Sequence, residues 1–174
     1  NVKVGDLDHD GLADIAVTHT IENSMTIIKN TSTLSTLSFE SAGNLATDTE
    51  PWGIDMGDMN GDGLLDIVVS NNGLNTLNVF INNTLPGNAI NLSKWIKDLP
   101  DAKPTRNMVI ADMNNDAKPD IVYTTARDPN FALNEVGVVR NSNCFTPKIY
   151  GDAERFICDQ PLELISIDNP SATF

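Results

Sequence analysis

The sequence lacks the local motifs of common catalytic sites. It contains no HExxH, no CxxC pair, no phosphate-binding loop and no nucleophile elbow. Its 174 residues include only two histidines and two cysteines, so few side chains could serve acid–base or nucleophilic chemistry. The sequence therefore predicts that this chain is not an enzyme.

Basic side chains and long apolar runs are also scarce. Lysine and arginine number 11 against 24 acidic residues, giving a formal net charge of -13. Such a charge repels phosphate backbones and anionic lipid surfaces, which argues against nucleic acid as a partner. No stretch stays apolar for the 18 or so residues that a membrane helix requires, which argues against membrane insertion.

Acidic loops are what the sequence does have, in three copies. Each copy places oxygen-bearing side chains at positions 1, 3, 5 and 9 and then enters an apolar run. The copies start at Asp6, Asp58 and Asp112, so they are 52 and 54 residues apart and belong to a repeated unit. Oxygen ligands at these spacings, with a main-chain carbonyl near position 7, are what a loop needs to wrap a hard divalent cation.

The segments around each loop predict short strands. A strand enters the loop, and a strand rich in β-branched residues leaves it, as in Ile15–Val17, Ile67–Val69 and Ile121–Tyr123. A third strand follows and runs into a polar turn that begins with Asn30, Asn82 or Asn141. With a fourth, more variable strand, each unit of about 50 residues predicts one blade of a propeller. Trp52, at the apolar start of the second entering strand, is expected in the core.

The predicted fold is therefore all-β, a partial β-propeller of three four-stranded blades. We predict repeats over about 1–50, 51–104 and 105–144, followed by a linker and the first strands of a truncated second β-domain over 145–174. Three blades cannot close a ring, so the open edges call for more chain or a partner. The chain also starts inside the strand-like run Val2–Val4, which is typical of a mature or trimmed fragment of a longer parent chain.

An EF-hand shares the first positions of this loop but fails at the last. It requires a bidentate glutamate at position 12 and a helix on each side. Position 12 here is Val17, Val69 or Tyr123, inside an apolar strand, and the last carboxylate lies at position 9. The EF-hand interpretation is therefore rejected.

The strand-flanked loop resembles the calcium loop of the FG-GAP family, also called VCBS repeats, found in integrin alpha propellers and many secreted bacterial proteins. The fullest match is Trp52-Gly-Ile-Asp-Met-Gly-Asp58 followed by Asn60-Gly-Asp62-Gly-Leu-Leu-Asp66. The resemblance covers residues 1 to 143 and implies a propeller that holds up to three Ca²⁺ ions. The run from Phe156 to Leu164 is similar to the opening strand of Ig-like modules in secreted Bacteroidota proteins.

Ligand roles can be assigned loop by loop. We predict side-chain or carbonyl ligands at Asp6, Asp8, Asp10, Leu12 and Asp14; at Asp58, Asn60, Asp62, Leu64 and Asp66; and at Asp112, Asn114, Asp116, Lys118 and Asp120. Turn glycines follow position 5 in the first two loops, whereas Ala117 stands there in the third. We therefore expect the third site to be the weakest and the four-carboxylate first site the tightest. The alternative is that the loops are solvated acidic turns that bind nothing.

The two cysteines, Cys144 and Cys158, are compatible with two arrangements. They could form a local disulfide that fastens the last blade to the next domain. Alternatively, Cys158 pairs across a sandwich with a cysteine beyond Phe174.

The expected function follows from the loops and their resemblance. Weak calcium loops suit the outside of a cell, where millimolar calcium fills them, so we expect a secreted or cell-surface protein. Within it, this calcium-stabilised propeller segment is expected to bind a protein or glycan through its variable loops. Two alternatives stay open: a non-catalytic accessory propeller of a secreted polysaccharide-active enzyme, and a passive cargo or spacer.

Overall fold

The chain folds into antiparallel β-sheets joined by short connections. The computed structural model describes residues 1–99, 104–125 and 136–141, together with the backbone of two short strands beyond them. The strands are β1 Val2–Gly5, β2 Asp14–His19, β3 Ser24–Asn30, β4 Phe39–Ala46, β5 Pro51–Gly57, β6 Asp66–Asn71, β7 Thr76–Asn82, β8 Leu92–Asp98, β9 Thr105–Ala111, β10 Asp120–Thr125, β11 Val136–Val139, β12 Lys148–Tyr150 and β13 Ala153–Arg155.

Three of the sheets are meanders in chain order, one for each acidic loop. They contain β1 to β4, β5 to β8 and β9 to β11, with β12 and β13 forming a separate two-stranded ladder. This all-β arrangement of four, four and three strands confirms the predicted partial propeller. A fourth strand of the third blade, and the cysteine pair, lie outside the described residues. None of the described residues belongs to a helix that could cross a membrane.

The apolar core lies between neighbouring sheets. One cluster joins Leu7, Ala16, Met25 and Ile27 of the first blade to Ile54, Ile67, Val69 and Phe80 of the second. The other joins Met59, Val68, Leu77, Val79, Ile81 and Leu99 of the second blade to Ile121, Tyr123 and Val139 of the third. Because the middle sheet is covered on both faces, every residue of β6 and β7 is buried. This explains the unbroken apolar run at Ile67–Val69.

Trp52 is an exception to the predicted core. Its side chain is 36% exposed, and the guanidinium carbon of Arg106 lies 4.9 Å from the centre of its ring. The pairing of β5 with β6 shifts register between Pro51 and Ile54, so Trp52 leaves the alternation that buries Ile54. The expectation of core packing was wrong for this residue.

Candidate metal centre

Each acidic loop joins the first two strands of its blade at a paired neck. The residue before the loop pairs with its last aspartate: Gly5 with Asp14, Gly57 with Asp66 and Ala111 with Asp120. Antiparallel pairing therefore brings position 1 and position 9 of the loop close together, although they are eight positions apart in the sequence. The remaining loop residues bulge out from this neck.

The position-9 aspartates are buried braces. Asp14, Asp66 and Asp120 are 0%, 0% and 1% exposed. In each, Oδ2 accepts the backbone N–H of loop position 2, and Oδ1 accepts the N–H of the asparagine that ends or follows the third strand. The donor distances are 2.9 and 2.9 Å for Leu7 and Asn30, 2.7 and 2.8 Å for Met59 and Asn82, and 3.1 and 2.7 Å for Met113 and Asn141. One carboxylate thus ties the loop to a distant strand, a role that spacing alone did not reveal.

The position-1 aspartates organise the rest of the loop. Asp58 accepts backbone N–H groups from Gly61, Asp62 and Gly63 at 2.7 to 3.1 Å. This wrapping needs left-handed backbone at positions 4 and 6 of every loop. The residues are His9, Gly11, Gly61, Gly63, Asn115 and Ala117, with φ of 60°, 86°, 80°, 88°, 60° and 64°. The sequence identified position 6, but position 4 went unrecognised because His9 and Asn115 carry no glycine signal.

Burial also raises the proton affinity of two of the position-9 aspartates, Asp14 and Asp66. Desolvation raises the pKa of Asp66 to about 6, although the N–H donors of Asn82 and Met59 oppose it. Desolvation raises the pKa of Asp14 in the same way. Neighbouring loop carboxylates add to both shifts. In the first two loops, the buried position-9 aspartate therefore places negative charge where water is scarce, a setting that favours a bound cation.

The first loop meets the requirements of a cation site most directly. Ligand oxygens of Asp6, Asp8 and Asp14 lie within 4.8 Å of one another. Asp6 Oδ1 is buried and has no hydrogen-bond partner, so this oxygen is available to a cation. An all-oxygen donor set fits a hard ion such as Ca²⁺. Among the described residues no other trio of this kind meets the same criterion, because Asn60 and Asn114 replace a carboxylate in the second and third loops. The remaining ligands, including the carbonyls at positions 7, stay predictions.

A lysine from the third strand reaches into the first loop. Lys29 Nζ contacts Asp8 Oδ2 closely and lies 3.2 Å from Asp10 Oδ2. The hydrogen bond to Asp8 is the main reason that the pKa of Lys29 is raised. The equivalent residue, one before the brace-bound asparagine, is Ile81 in the second blade and Arg140 in the third. Arg140 Nη2 lies 3.6 Å from Asp116 Oδ2. The three loops therefore differ in a cationic neighbour that the loop sequences do not contain.

The loops are also joined to the neighbouring blade. The side-chain amide of Asn82 donates to the carbonyl of Leu7 at 2.8 Å, and that of Asn141 donates to the carbonyl of Met59 at 2.8 Å. The same asparagine that binds the brace in its own blade thus holds the previous loop. This contact and the apolar clusters make the blades successive copies of one packing unit.

The comparison with protein families agrees with this repeated architecture. A family model for the FG-GAP-like repeat matches residues 6–69 and 58–123, which together cover all three loops and more than half of the chain. The chain belongs to the FG-GAP-like repeat family. A sequence search of curated proteins found no match. The family match confirms the resemblance drawn from the loops, while the similarity of the last residues to Ig-like modules and to Bacteroidota proteins stays a prediction.

Proposed function

We propose that this FG-GAP-like chain is a calcium-stabilised, non-catalytic propeller segment of a larger secreted or cell-surface protein. The observation that carries the proposal is the first loop, where Asp6 Oδ1 is buried without a partner beside the carboxylates of Asp8 and Asp14. A bound divalent ion would neutralise this charge. The loop residues would hold the ion, and the position-9 aspartate would transmit the closure of the loop to the third strand.

The calcium part of the proposal is tested by melting the chain with and without the ion. Calcium at one hundred times its dissociation constant stabilises a folded protein by about 2.7 kcal/mol per site, so millimolar calcium should raise Tm well above its value in chelator. Asp6→Asn should remove part of this shift. The matched control is Glu40→Gln, which neutralises an exposed acid on β4 outside the loops and should leave the shift intact. Equal melting curves in calcium and chelator would contradict the proposal.

The binding part of the proposal concerns the end of the blades that carries the loops. Because Asn30 and Asn82 contact the braces, the connections that follow β3 and β7 leave from this same end. These connections expose Leu34, Leu37 and Leu85 to solvent. Exposed apolar side chains on neighbouring loops support a surface for a protein or glycan ligand.

A set of leucine variants tests this surface. Leu34→Ser, Leu37→Ser and Leu85→Ser together should lower binding in a glycan array or a screen of immobilised extracellular proteins. Ile21 and Leu74 are also exposed but lie at the opposite end, in the turns between β2 and β3 and between β6 and β7, so Ile21→Ser with Leu74→Ser is the control. Binding that responds only to the control pair would refute the assignment. Binding to none of the probes would favour a spacer.

A further inference from the structure

The ion pair with Lys29 compensates the buried negative charge of Asp8, and the other two loops have no carboxylate at this position. Asp8 is 3% exposed, and its other hydrogen bond comes from the N–H of Asp10 at 3.3 Å. A buried carboxylate is costly without a counter-charge, and the ammonium of Lys29 supplies one. The same loop position holds Asn60 and Asn114 in the other blades, where the neutral amide requires no counter-charge.

With Lys29 included, the first loop is no more negative than the second, so its additional carboxylate does not predict tighter calcium binding. Its four carboxylates and the Lys29 ammonium leave a formal charge of -3, the same as the three carboxylates of the second loop beside the neutral Ile81. The additional acid and the lysine therefore act as a pair. A divalent ion entering the first loop meets a positive charge within a few ångströms, which the second loop does not present.

We propose that Lys29 is a resident counter-cation of the first loop, so that this loop closes without a metal ion and binds calcium more weakly than the second loop. The inference rests on the proposed calcium role and deepens it by ranking the sites. It reverses the order suggested by counting carboxylates. Lys29 then has two opposite effects: it stabilises the loop when no metal ion is bound, and it weakens the binding of calcium.

Two glycine amides allow each loop to be followed separately. Gly11 N–H donates to Asp6 Oδ2 at 3.0 Å, and Gly63 N–H donates to Asp58 Oδ2 at 2.8 Å, so their NMR signals should respond to calcium in their own loops. In the unmodified chain Gly63 should shift at lower calcium than Gly11. Lys29→Met should lower the calcium midpoint of Gly11 by about tenfold or more, since a unit charge near a divalent ion opposes binding by at least that factor even in water. It should leave Gly63 unchanged.

The control keeps the charge, and a second readout separates this role from simple packing. Lys29→Arg should leave the Gly11 midpoint close to its original value. In chelator, Lys29→Met should lower Tm although it raises calcium affinity, a combination that loss of packing alone does not produce. An unchanged or raised Gly11 midpoint in Lys29→Met, or Gly11 shifting before Gly63 in the unmodified chain, would overturn the inference and leave calcium binding intact. If neither glycine responds to calcium, the proposed calcium role falls, and the inference with it.

Discussion

The middle and third blades carry nearly the same loop but different surroundings. Met59, at position 2 of the second loop, is 2% exposed, whereas Met113 at the same position of the third loop is 58% exposed. Met59 packs with Ile121 and Tyr123 of the next blade, and its carbonyl accepts the amide of Asn141. The difference separates two kinds of contact. The position-9 aspartate bonds residues of its own blade, whereas the residue at position 2 is buried by the blade that follows.

The largest expected effect comes from placing a charge at this position. Met59→Asp would bury a carboxylate in the apolar cluster and should lower the free energy of unfolding by about 4 kcal/mol or more. Met113→Asp should change it by less than about 0.5 kcal/mol, because the side chain already contacts water. Urea denaturation of both variants measures the difference. Similar losses at the two positions would show that the third blade is covered as fully as the second.

The second prediction concerns the pH dependence of stability that Asp66 causes in the middle loop. Because the pKa of Asp66 is about 6 in the folded protein and 3.8 is its ordinary value, the folded protein binds the proton more tightly than the unfolded chain. Its contribution to stability is therefore fully present below about pH 4 and is lost as the pH rises through 6. Asp66→Asn does not titrate, so the destabilisation it causes should be larger at pH 4.5 than at pH 7, by about 2 kcal/mol in chelator.

Urea denaturation at several pH values, with chelator and then with calcium, tests this effect. A bound cation would favour the ionised carboxylate, so calcium should reduce or reverse the pH trend. A destabilisation by Asp66→Asn that is independent of pH in chelator would contradict the assignment of a raised pKa to this group.

The asparagine contact between blades should have an intermediate effect. Asn82→Ala removes buried donors from the carbonyls of both Leu7 and Leu65 and should cost about 2 kcal/mol. Asn30 is the equivalent residue of the first blade, where its amide reaches only Ala13 within the same blade at an exposed site. Asn30→Ala should therefore cost less than about 1 kcal/mol. If thermal unfolding shows the same loss of stability for both variants, the contact of Asn82 with the neighbouring blade adds nothing beyond the contact within the blade.

The sequence predicted what local spacing determines and missed what strand pairing determines. The three sheets and the necks of the loops follow from oxygen spacing and apolar runs within about 20 residues. The Lys29 contact to Asp8 spans 21 residues and the Asn82 contact to Leu7 spans 75, so both depend on register and blade packing. A recurring asparagine at 30, 82 and 141 was visible as a polar turn. The sequence did not show that the side chains of Asn82 and Asn141 bond a loop in the preceding repeat. The prediction that Trp52 packs in the core failed because the pattern of apolar residues does not reveal a shift in strand register.

The smallest expected effect tests a strain that the sequence did indicate. Ala117 adopts φ of 64° where Gly63 has 88° in the second loop, and a left-handed backbone costs an alanine on the order of 1 kcal/mol. Ala117→Gly should raise the free energy of unfolding by about 0.5 kcal/mol, since added freedom in the unfolded chain offsets part of the relief. Gly63→Ala should lower it by about 1 kcal/mol. Changes of opposite sign in the free energy of unfolding would show that both loops require the same left-handed backbone and that glycine meets this requirement better than alanine. A loss of stability in both variants would mean that the surroundings of the third loop favour alanine at this position.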